Sequence, residues 1–343
     1  MDTRDSPEQA ELRRSARKLA HDLGPAAVAD LDDAARTDRL ERAVKDAGWL
    51  ELRYDSGDGS PLATGVEAGI VAEALGEAIA DVPFAGPTLA ADLARRAGLD
   101  GTQISAVCFD SDLIATALVH GGVTESTVYA VDCSPDSAGA FVVARNADHD
   151  YRLAEVRVTG GHRGADLTRK IRFCEAGAQA LHVEGQRGWI SDEDLAQWTA
   201  LGLALTSADL VGVMRGVIRV TVEYAANSHQ FGVPIGSFQA VQHVLAEAQC
   251  LMEGSASVAL HASWAADNLE PRLACEAGRV AKAYCARAAR QVCETAIQVH
   301  GGIGNTWDCI VHVYLRRALL SSQWLGDDRV QLLRLGHDRV GAA

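Results

Sequence analysis

The stretch 201–224, LGLALTSADLVGVMRGVIRVTVEY, is a helical pattern about six turns long that decides how the second half of the chain folds. Apolar residues recur in it every three or four positions, which is the period of one helix face, at Leu201, Leu205, Ala208, Val211, Met214, Ile218 and Val222. Ser191 and the acidic turn 192–194 mark where this helix begins. Two similar stripes follow, at Phe238, Val241, Leu245, Ala248 and Met252 and at Leu273, Ala277, Val280, Tyr284 and Ala288. Long helices with apolar stripes pack against one another, so we predict a helical bundle over residues 189–343.

The rest of the chain divides into a helical and a β region. Residues 1–102 are expected to form helices, the first of which begins at Ser6-Pro7-Glu8-Gln9 with a capping residue followed by proline. Residues 103–188 contain short β-branched or apolar runs separated by turn residues, which predicts an antiparallel sheet in a small barrel or sandwich. These runs are 104–109, 113–118, 127–131, 140–144, 151–158 and 170–173. The predicted fold class is therefore α+β: an N-terminal helical domain, a middle β domain and a C-terminal bundle.

Composition excludes several classes of protein. Lys and Arg number 32 against 46 Asp and Glu, and an acidic chain without a basic run is a poor partner for nucleic acid. No run of 18 apolar residues is present, so no membrane-spanning helix is expected. The first five residues lack the segments of a signal peptide, and the eight cysteines form no CxxC pair. We therefore expect a cytoplasmic protein with reduced thiols and no metal site.

Four short segments carry a family signature. They are AGWLEL (47–52) with VAEALGEA (71–78), Tyr224 with QFGVPIGSFQAVQH (230–243), QVHGGIG (298–304) and, more weakly, DLTR (166–169). Together they resemble the flavin-dependent acyl-CoA dehydrogenases, in the order that this family has them. The resemblance implies the three-part fold above with a C-terminal four-helix bundle, and assembly as dimers or as tetramers made of two dimers. It also implies FAD as cofactor, an acyl-CoA substrate dehydrogenated between its α and β carbons, and an electron-transfer acceptor.

The resemblance also implies which residues meet the cofactor. In this family FAD lies across a subunit interface, and the matching positions here are Gln230, Phe231, Gly232, Gln239, Gln298, Gly301, Gly302 and Gly304. We expect Gln230 to hydrogen-bond the partner's cofactor and Phe231 to pack on it; the alternative is a turn with Phe231 in the core. The glycines suit close approach of a pyrophosphate, but paired glycines equally predict a helix C-cap. His300 is expected to be structural, and the three tryptophans Trp198, Trp264 and Trp307 to lie in the core.

The chain departs from the family where the family's catalytic carboxylate stands. Counting from the motifs, the usual glutamate falls on Leu325, and the other known base position, on the first long bundle helix, falls on Gly202. The arginine that contacts the FAD pyrophosphate is replaced by Ser228, and the Thr-Glu-Pro…Gly-Ser-Asp segment of the β domain is missing. Asp308 and Asp327 remain as candidates for a displaced base, although each is expected to cap the helix that follows it.

These losses resemble the shortened subunit of actinobacterial α2β2 heteromeric acyl-CoA dehydrogenases. That subunit lacks the base and supplies the QFG and QxxGG elements to a homologous partner chain. The resemblance therefore implies a half-site subunit whose base comes from the partner, with FAD held weakly or not at all by the lone chain. Two alternatives are a self-sufficient homo-oligomer with a displaced base, and a flavin-free relative that binds an acyl thioester for non-redox chemistry or serves as a scaffold.

Overall fold

The structure has three parts in the order helical, β and helical; it is a computed structural model that describes residues 1, 3–99, 104, 106–134, 136–145, 151–162, 164–185 and 189–340. The first part comprises α1 (Pro7–Leu23), α2 (Ala34–Asp46), α3 (Gly65–Glu77) and α4 (Ala85–Arg96). Ser6 caps α1 as predicted, since its Oγ accepts a hydrogen bond from Gln9 N at 3.2 Å while its own N–H donates to Gln9 Oε1 at 2.9 Å. This reciprocal pairing satisfies two backbone donors at the start of the helix.

The middle part contains two sheets, and they are mainly antiparallel, as the sequence predicted, with one parallel pair. Its strands are β1 (Cys108–Phe109), β2 (Leu118–His120), β3 (Val123–Thr124), β4 (Val128–Val131), β5 (Gly139–Arg145), β6 (Tyr151–Arg157), β7 (Thr159–His162), β8 (Ile171–Cys174) and β9 (Leu181–His182). One sheet has the order β1-β4-β8-β7 and the other β3-β2-β5-β6-β9, in which β2 and β5 run parallel. Of the predicted strand 113–118, only residue 118 lies in a strand of the structure. Leu113 has a left-handed φ of 59°, which breaks the extended chain.

The last part is a four-helix bundle, as predicted. It consists of α5 (Asp192–Asn227), α6 (Gln239–Asn268), α7 (Pro271–His300) and α8 (Val311–Gln323), with α9 (Asp328–Val340) packed on α7. A two-stranded hairpin of β10 (His229–Gln230) and β11 (Val233–Pro234) joins α5 to α6. Glycines let α5 cross α3 closely: a Cβ on Gly212 would lie 2.0 Å from Glu73 O, and one on Gly216 would lie 2.1 Å from Glu77 O.

Helix α5 has the length and composition of a membrane span, contrary to the expectation that no segment would. However, 94% of its apolar window is buried inside the fold. An α-helix that is apolar on all sides is the normal central helix of a large bundle. The burial of α5 between the other helices therefore accounts for its composition.

Two of the apolar stripes predicted to be core are partly exposed. On α7 the buried face consists of small residues, among them Ala274, Gly278, Ala281, Cys285, Ala289 and Cys293, while Leu273, Val280 and Tyr284 point outward. On α6 burial becomes regular only from Ala248 onward, and Phe238 and Val244 are exposed. Both stripes were assigned by spacing alone, which does not reveal that the smaller residues face the neighbouring helix.

A buried network of charges joins all three parts. Asp209 on α5 accepts hydrogen bonds from Arg317 Nη2 at 2.8 Å and from Ser321 Oγ at 2.6 Å, and it pairs with Arg169 Nη2 at 2.9 Å. Arg169 follows β7 in the chain, and Arg317 also donates to Ala80 O of the helical part at 2.7 Å. The DLTR segment, which carried the weakest part of the family resemblance, therefore has a structural role.

Candidate functional site at the uncharged end of the bundle

Two segments without a single Asp, Glu, Lys or Arg meet at one end of the bundle: 224–246 and 295–307, together called the uncharged end. They contact each other where the Tyr224 and His300 rings stack with centroids 4.1 Å apart. Tyr224 Oη also donates a hydrogen bond to His300 O at 3.4 Å. Charge depletion on exposed surface is typical of the centre of a protein interface. The absence of charged residues from both segments is visible in the sequence, but neither the family motifs nor the helical periodicity points to it.

The β10–β11 hairpin presents Phe231 at its tip. Phe231 and Gly232 have φ values of 53° and 83°, which is the backbone of a type I′ turn. Asparagine and glycine are the residues that this turn favours, so a phenylalanine at its first position is unfavourable. Phe231 is 95% exposed and touches Phe238 edge-to-face at 6.3 Å, so the alternative of a core phenylalanine is wrong. Such an exposed, unfavourable residue suggests a binding role.

The predicted C-cap on paired glycines is confirmed at the end of α7. Gly301 has a φ of 66° and donates its N–H to Gln298 O and Ile297 O. A Cβ placed on Gly301 or Gly302 would meet no atom within 4 Å, whereas one on Gly304 would lie 2.9 Å from Ile297 O. The backbone of the first two glycines therefore borders open space, which leaves it accessible to a ligand. The buried His300 bonds Ala296 O through Nδ1 at 2.8 Å, and burial lowers its pKa, which fits the structural role expected of it.

The two family positions of the catalytic base meet inside the fold. A Cβ on Gly202 would lie 2.4 Å from Leu325 Cδ1 and 3.4 Å from Leu89 Cδ2. Leu325 is only 2% exposed. The notch that Gly202 leaves in α5 is thus filled by the two leucine side chains.

The C-terminal part of the chain, residues 199–338, matches the family model described as acyl-CoA dehydrogenase, C-terminal domain. Acyl-CoA dehydrogenase IpdE2 of Mycobacterium tuberculosis (strain ATCC 25618 / H37Rv) is 32% identical over 351 residues, which cover 96% of this chain and 96% of that protein. This chain belongs to the acyl-CoA dehydrogenase family. Membership supports the general use of a flavin.

Two solved structures share the fold of this chain at 22% identity. The ChsE4-ChsE5 complex from Mycobacterium tuberculosis contains a chain that matches with a TM-score of 0.77 over 100% of both chains. A variant of the Tcur3481-Tcur3483 steroid ACAD matches with a TM-score of 0.79, over 97% of this chain and 98% of that one. The predicted fold class is confirmed.

The uncharged end has groups that suit only part of a flavin, whereas acyl-CoA dehydrogenases usually have a complete flavin site. Gln230, Gln298 and the accessible backbone of Gly301 suit the polar groups of a dinucleotide, and Phe231 suits a ring. The uncharged end has no cation for the pyrophosphate, since Ser228 stands at the arginine position. Gln239, the first residue of α6, is exposed on the same end. The residues present therefore suit some polar groups and one ring of a flavin dinucleotide, but not its pyrophosphate.

The segment carrying Leu325 is held in place by backbone contacts. Leu325 N donates to Leu113 O at 2.7 Å, and both leucines have left-handed φ values, 66° and 59°. Gln331 Nε2 donates to Leu325 O at 2.6 Å. Lys282 Nζ donates to Trp324 O at 2.7 Å and to Ser321 O, near the end of α8, where carbonyls lack helical partners.

The two candidates for a displaced base lie elsewhere. Asp308 is exposed before α8, whereas Leu325 follows its other end, and a helix of this length separates the two by about 20 Å. The cap role expected of Asp308 is wrong, because a turn at 306–309 intervenes and α8 begins only at Val311. Asp327 does act as a cap, since its Oδ1 accepts a hydrogen bond from Val330 N at 2.9 Å.

The three tryptophans have different environments. Trp198 is in the core as expected, donating its indole N–H to Leu89 O at 2.8 Å and stacking on Phe109. Trp264 is half-buried beside His261. The core prediction for Trp307 is wrong, because that ring is 63% exposed.

The buried amine of Lys282 should make the free energy of unfolding depend measurably on pH. Burial lowers its pKa to about 7 in the folded chain. In the unfolded chain the amine stays protonated to roughly pH 10, so between pH 7 and 10 unfolding takes up a proton and this residue makes stability rise with pH. The free energy of unfolding of the wild type, minus that of Lys282→Met, should rise by up to about 1.4 kcal/mol per pH unit there. Urea unfolding at pH 6, 7, 8 and 9 measures this difference.

Subtracting the free energy of unfolding of Lys282→Met from that of the wild type cancels the opposing effect of the buried thiols. Cys285, whose pKa burial raises to about 12, and the other buried cysteines stay protonated in the fold but ionise when the chain unfolds. Their contribution therefore lowers stability above pH 8 in both proteins alike. Parallel stability curves for wild type and Lys282→Met from pH 7 to 9 would contradict the prediction.

Proposed function

We propose that this chain is the half-site subunit of a heteromeric flavin-dependent acyl-CoA dehydrogenase. A homologous partner chain supplies the carboxylate that removes the α-proton of the acyl-CoA and most of the FAD site. The contact between Gly202 and Leu325 carries this proposal, because both family positions of the base are apolar and share one filled space. A proton acceptor must be a titratable side chain with a suitable pKa, which neither glycine nor leucine provides.

The exposed surface supports a partner chain. The uncharged end carries four exposed apolar residues: Phe231, Val233, Val244 and Ile303. Removing such apolar area from water is favourable on association. A second copy of this chain would cover the same surface in the self-sufficient alternative, so the choice of a homologous partner rests on the filled base positions rather than on this surface.

The self-sufficient alternative requires Asp308 or Asp327 as the base. Asp308 is separated from the Leu325 position by the length of α8, and Asp327 is engaged as the cap of α9. In the complex, Asp308→Asn and Asp327→Asn should therefore leave turnover within a few-fold of wild type. Loss of α-proton exchange in either variant would favour the displaced base.

The decisive experiment compares the chain purified alone with the chain co-expressed with a homologous acyl-CoA dehydrogenase that carries the glutamate base. We expect the lone chain to be nearly colourless and inactive in α-proton exchange with deuterated solvent, and the two-chain complex to be yellow and active. Near-stoichiometric flavin on the lone chain would overturn the proposal in favour of a self-sufficient enzyme. A colourless complex would favour the flavin-free alternative.

Phe231→Asn tests the hairpin within that complex. Asparagine suits the left-handed position of a type I′ turn and the phenylalanine ring is almost fully exposed, so the free energy of unfolding of the lone chain should change by no more than about 0.5 kcal/mol. The flavin affinity of the complex should fall at least about tenfold, since one ring contact worth about 1.4 kcal/mol is lost. Flavin release on dilution measures this affinity.

Leu62→Asn is the matched control, because Leu62 is also a large exposed apolar residue but lies in the N-terminal helical part. It should leave flavin release unchanged. Equal flavin release from wild type and Phe231→Asn complexes would assign the hairpin no role at the cofactor.

A further inference from the structure

Trp307 is an exposed tryptophan whose ring is nevertheless fixed in position. It is the last residue of the uncharged end, where 63% of its surface is exposed. The guanidinium of Arg316 lies over the ring at 5.5 Å from its centroid, and the buried His312 meets it edge-to-face at 5.1 Å. Guanidinium and imidazole contacts of this kind favour one orientation of an indole.

The groups that hold Trp307 are themselves anchored. Arg316 Nε donates to His312 Nδ1 at 3.3 Å, one helical turn earlier on α8. Arg316 Nη1 donates to Ala165 O of the β region at 3.2 Å. The ring is thus supported by two elements of the fold, and little conformational entropy remains to be lost when something binds it.

We propose that Trp307 is an anchor of the contact between this chain and its homologous acyl-CoA dehydrogenase partner, inserting into an apolar pocket of that chain. The inference rests on the proposed function. Tryptophan and arginine are both enriched among the few residues that carry most of the binding energy of protein interfaces. Trp307 also belongs to the same uncharged segment as the exposed Ile303, which lies four positions earlier in the chain.

A phosphate-bearing ligand fits this place less well than a protein does. Two nitrogens of Arg316 are already engaged, with His312 and with Ala165 O. The next residue in the chain, Asp308, is exposed and carries a negative charge. Neighbouring negative charge opposes binding of a nucleotide but not of an apolar pocket.

The test measures the dissociation constant of the two-chain complex by titration of a labelled partner chain with wild type or Trp307→Ala. We expect the variant to bind at least about thirtyfold more weakly, which corresponds to about 2 kcal/mol. Trp189→Ala is the control: Trp189 is also exposed under a guanidinium, that of Arg152 at 4.1 Å, but lies outside the uncharged end. It should stay within threefold of wild type. Both variants should stay folded and lose similar amounts of unfolding free energy, about 1 kcal/mol each, since each ring is partly exposed and gives up a contact with a guanidinium.

The outcomes separate this inference from the proposed function. If wild type forms no complex with the homologous chain, the proposed function fails. If wild type binds and Trp307→Ala binds equally well, the proposed function stands and the anchor is refuted. Unchanged assembly with loss of flavin would overturn the anchor in favour of a ring that contacts the cofactor. Equal weakening by Trp189→Ala would also overturn it.

Discussion

Asp209→Ala should lower the free energy of unfolding by about 3–5 kcal/mol. Asp209 is fully buried; burial disfavours its ionised form, but the guanidiniums of Arg169 and Arg317 outweigh this and hold its pKa well below the usual range. Removing the carboxylate takes from Arg317 the carboxylate it pairs with and leaves Arg169 only its longer pairs with Asp132 at 3.6 Å and Asp166 at 3.7 Å. It also deprives Ser321 of its acceptor. Urea unfolding of the purified chain at neutral pH measures the loss.

Glu294→Ala is the control for this prediction, since Glu294 pairs with Arg290 in solvent. An exposed pair contributes at most about 1 kcal/mol, and often nothing measurable. If Asp209→Ala cost no more than Glu294→Ala, the network would have no importance for joining the three parts of the fold. The helical, β and bundle parts should instead lose stability together in Asp209→Ala, because Arg317 also binds Ala80 O.

Local signals made most of the fold predictable from the sequence. The capping residues Ser6 and Ser191 fixed two helix starts, because a side-chain acceptor at the N-cap acts within three residues. The sheet order was not predictable, since the parallel pairing of β2 with β5 depends on residues far apart in sequence. The pattern predicts the wrong buried face for α7, because the apolar stripe and the face of small residues have the same helical period.

Predictions at the candidate site failed where contacts between distant residues decide the outcome. Leu325 and Gly202 could each be counted from a motif, but only the fold shows that one fills the notch left by the other. Trp307 was expected in the core because tryptophans usually are buried, and its exposure depends on Arg316 and His312 of the following helix. The missing charges of 224–246 were visible in the sequence and are the signal that would have located the uncharged end.

Leu325→Ala should cost about 2–5 kcal/mol of unfolding free energy. The leucine is buried between Leu89 and the notch at Gly202, so truncation removes apolar contacts and leaves a cavity. Its left-handed φ of 66° is unchanged by alanine, which still has a Cβ, so the loss reports on packing rather than on backbone strain. Leu333→Ala, at an exposed position on α9, should cost less than about 0.5 kcal/mol in the same urea assay.

The double variant with Gly202→Ala makes this prediction specific to the shared space. Alone, Gly202→Ala should destabilise by about 1–3 kcal/mol, although alanine is the better helix former, because the new methyl group would clash with Leu325 Cδ1. With Leu325 already truncated, the clash is gone and the methyl group fills part of the cavity, so adding Gly202→Ala should then cost little or restore stability. The two changes should therefore be non-additive by roughly 1–2 kcal/mol. Strictly additive costs would mean that Gly202 and Leu325 do not share one space, which would remove the packing observation on which the proposed partner-supplied base rests.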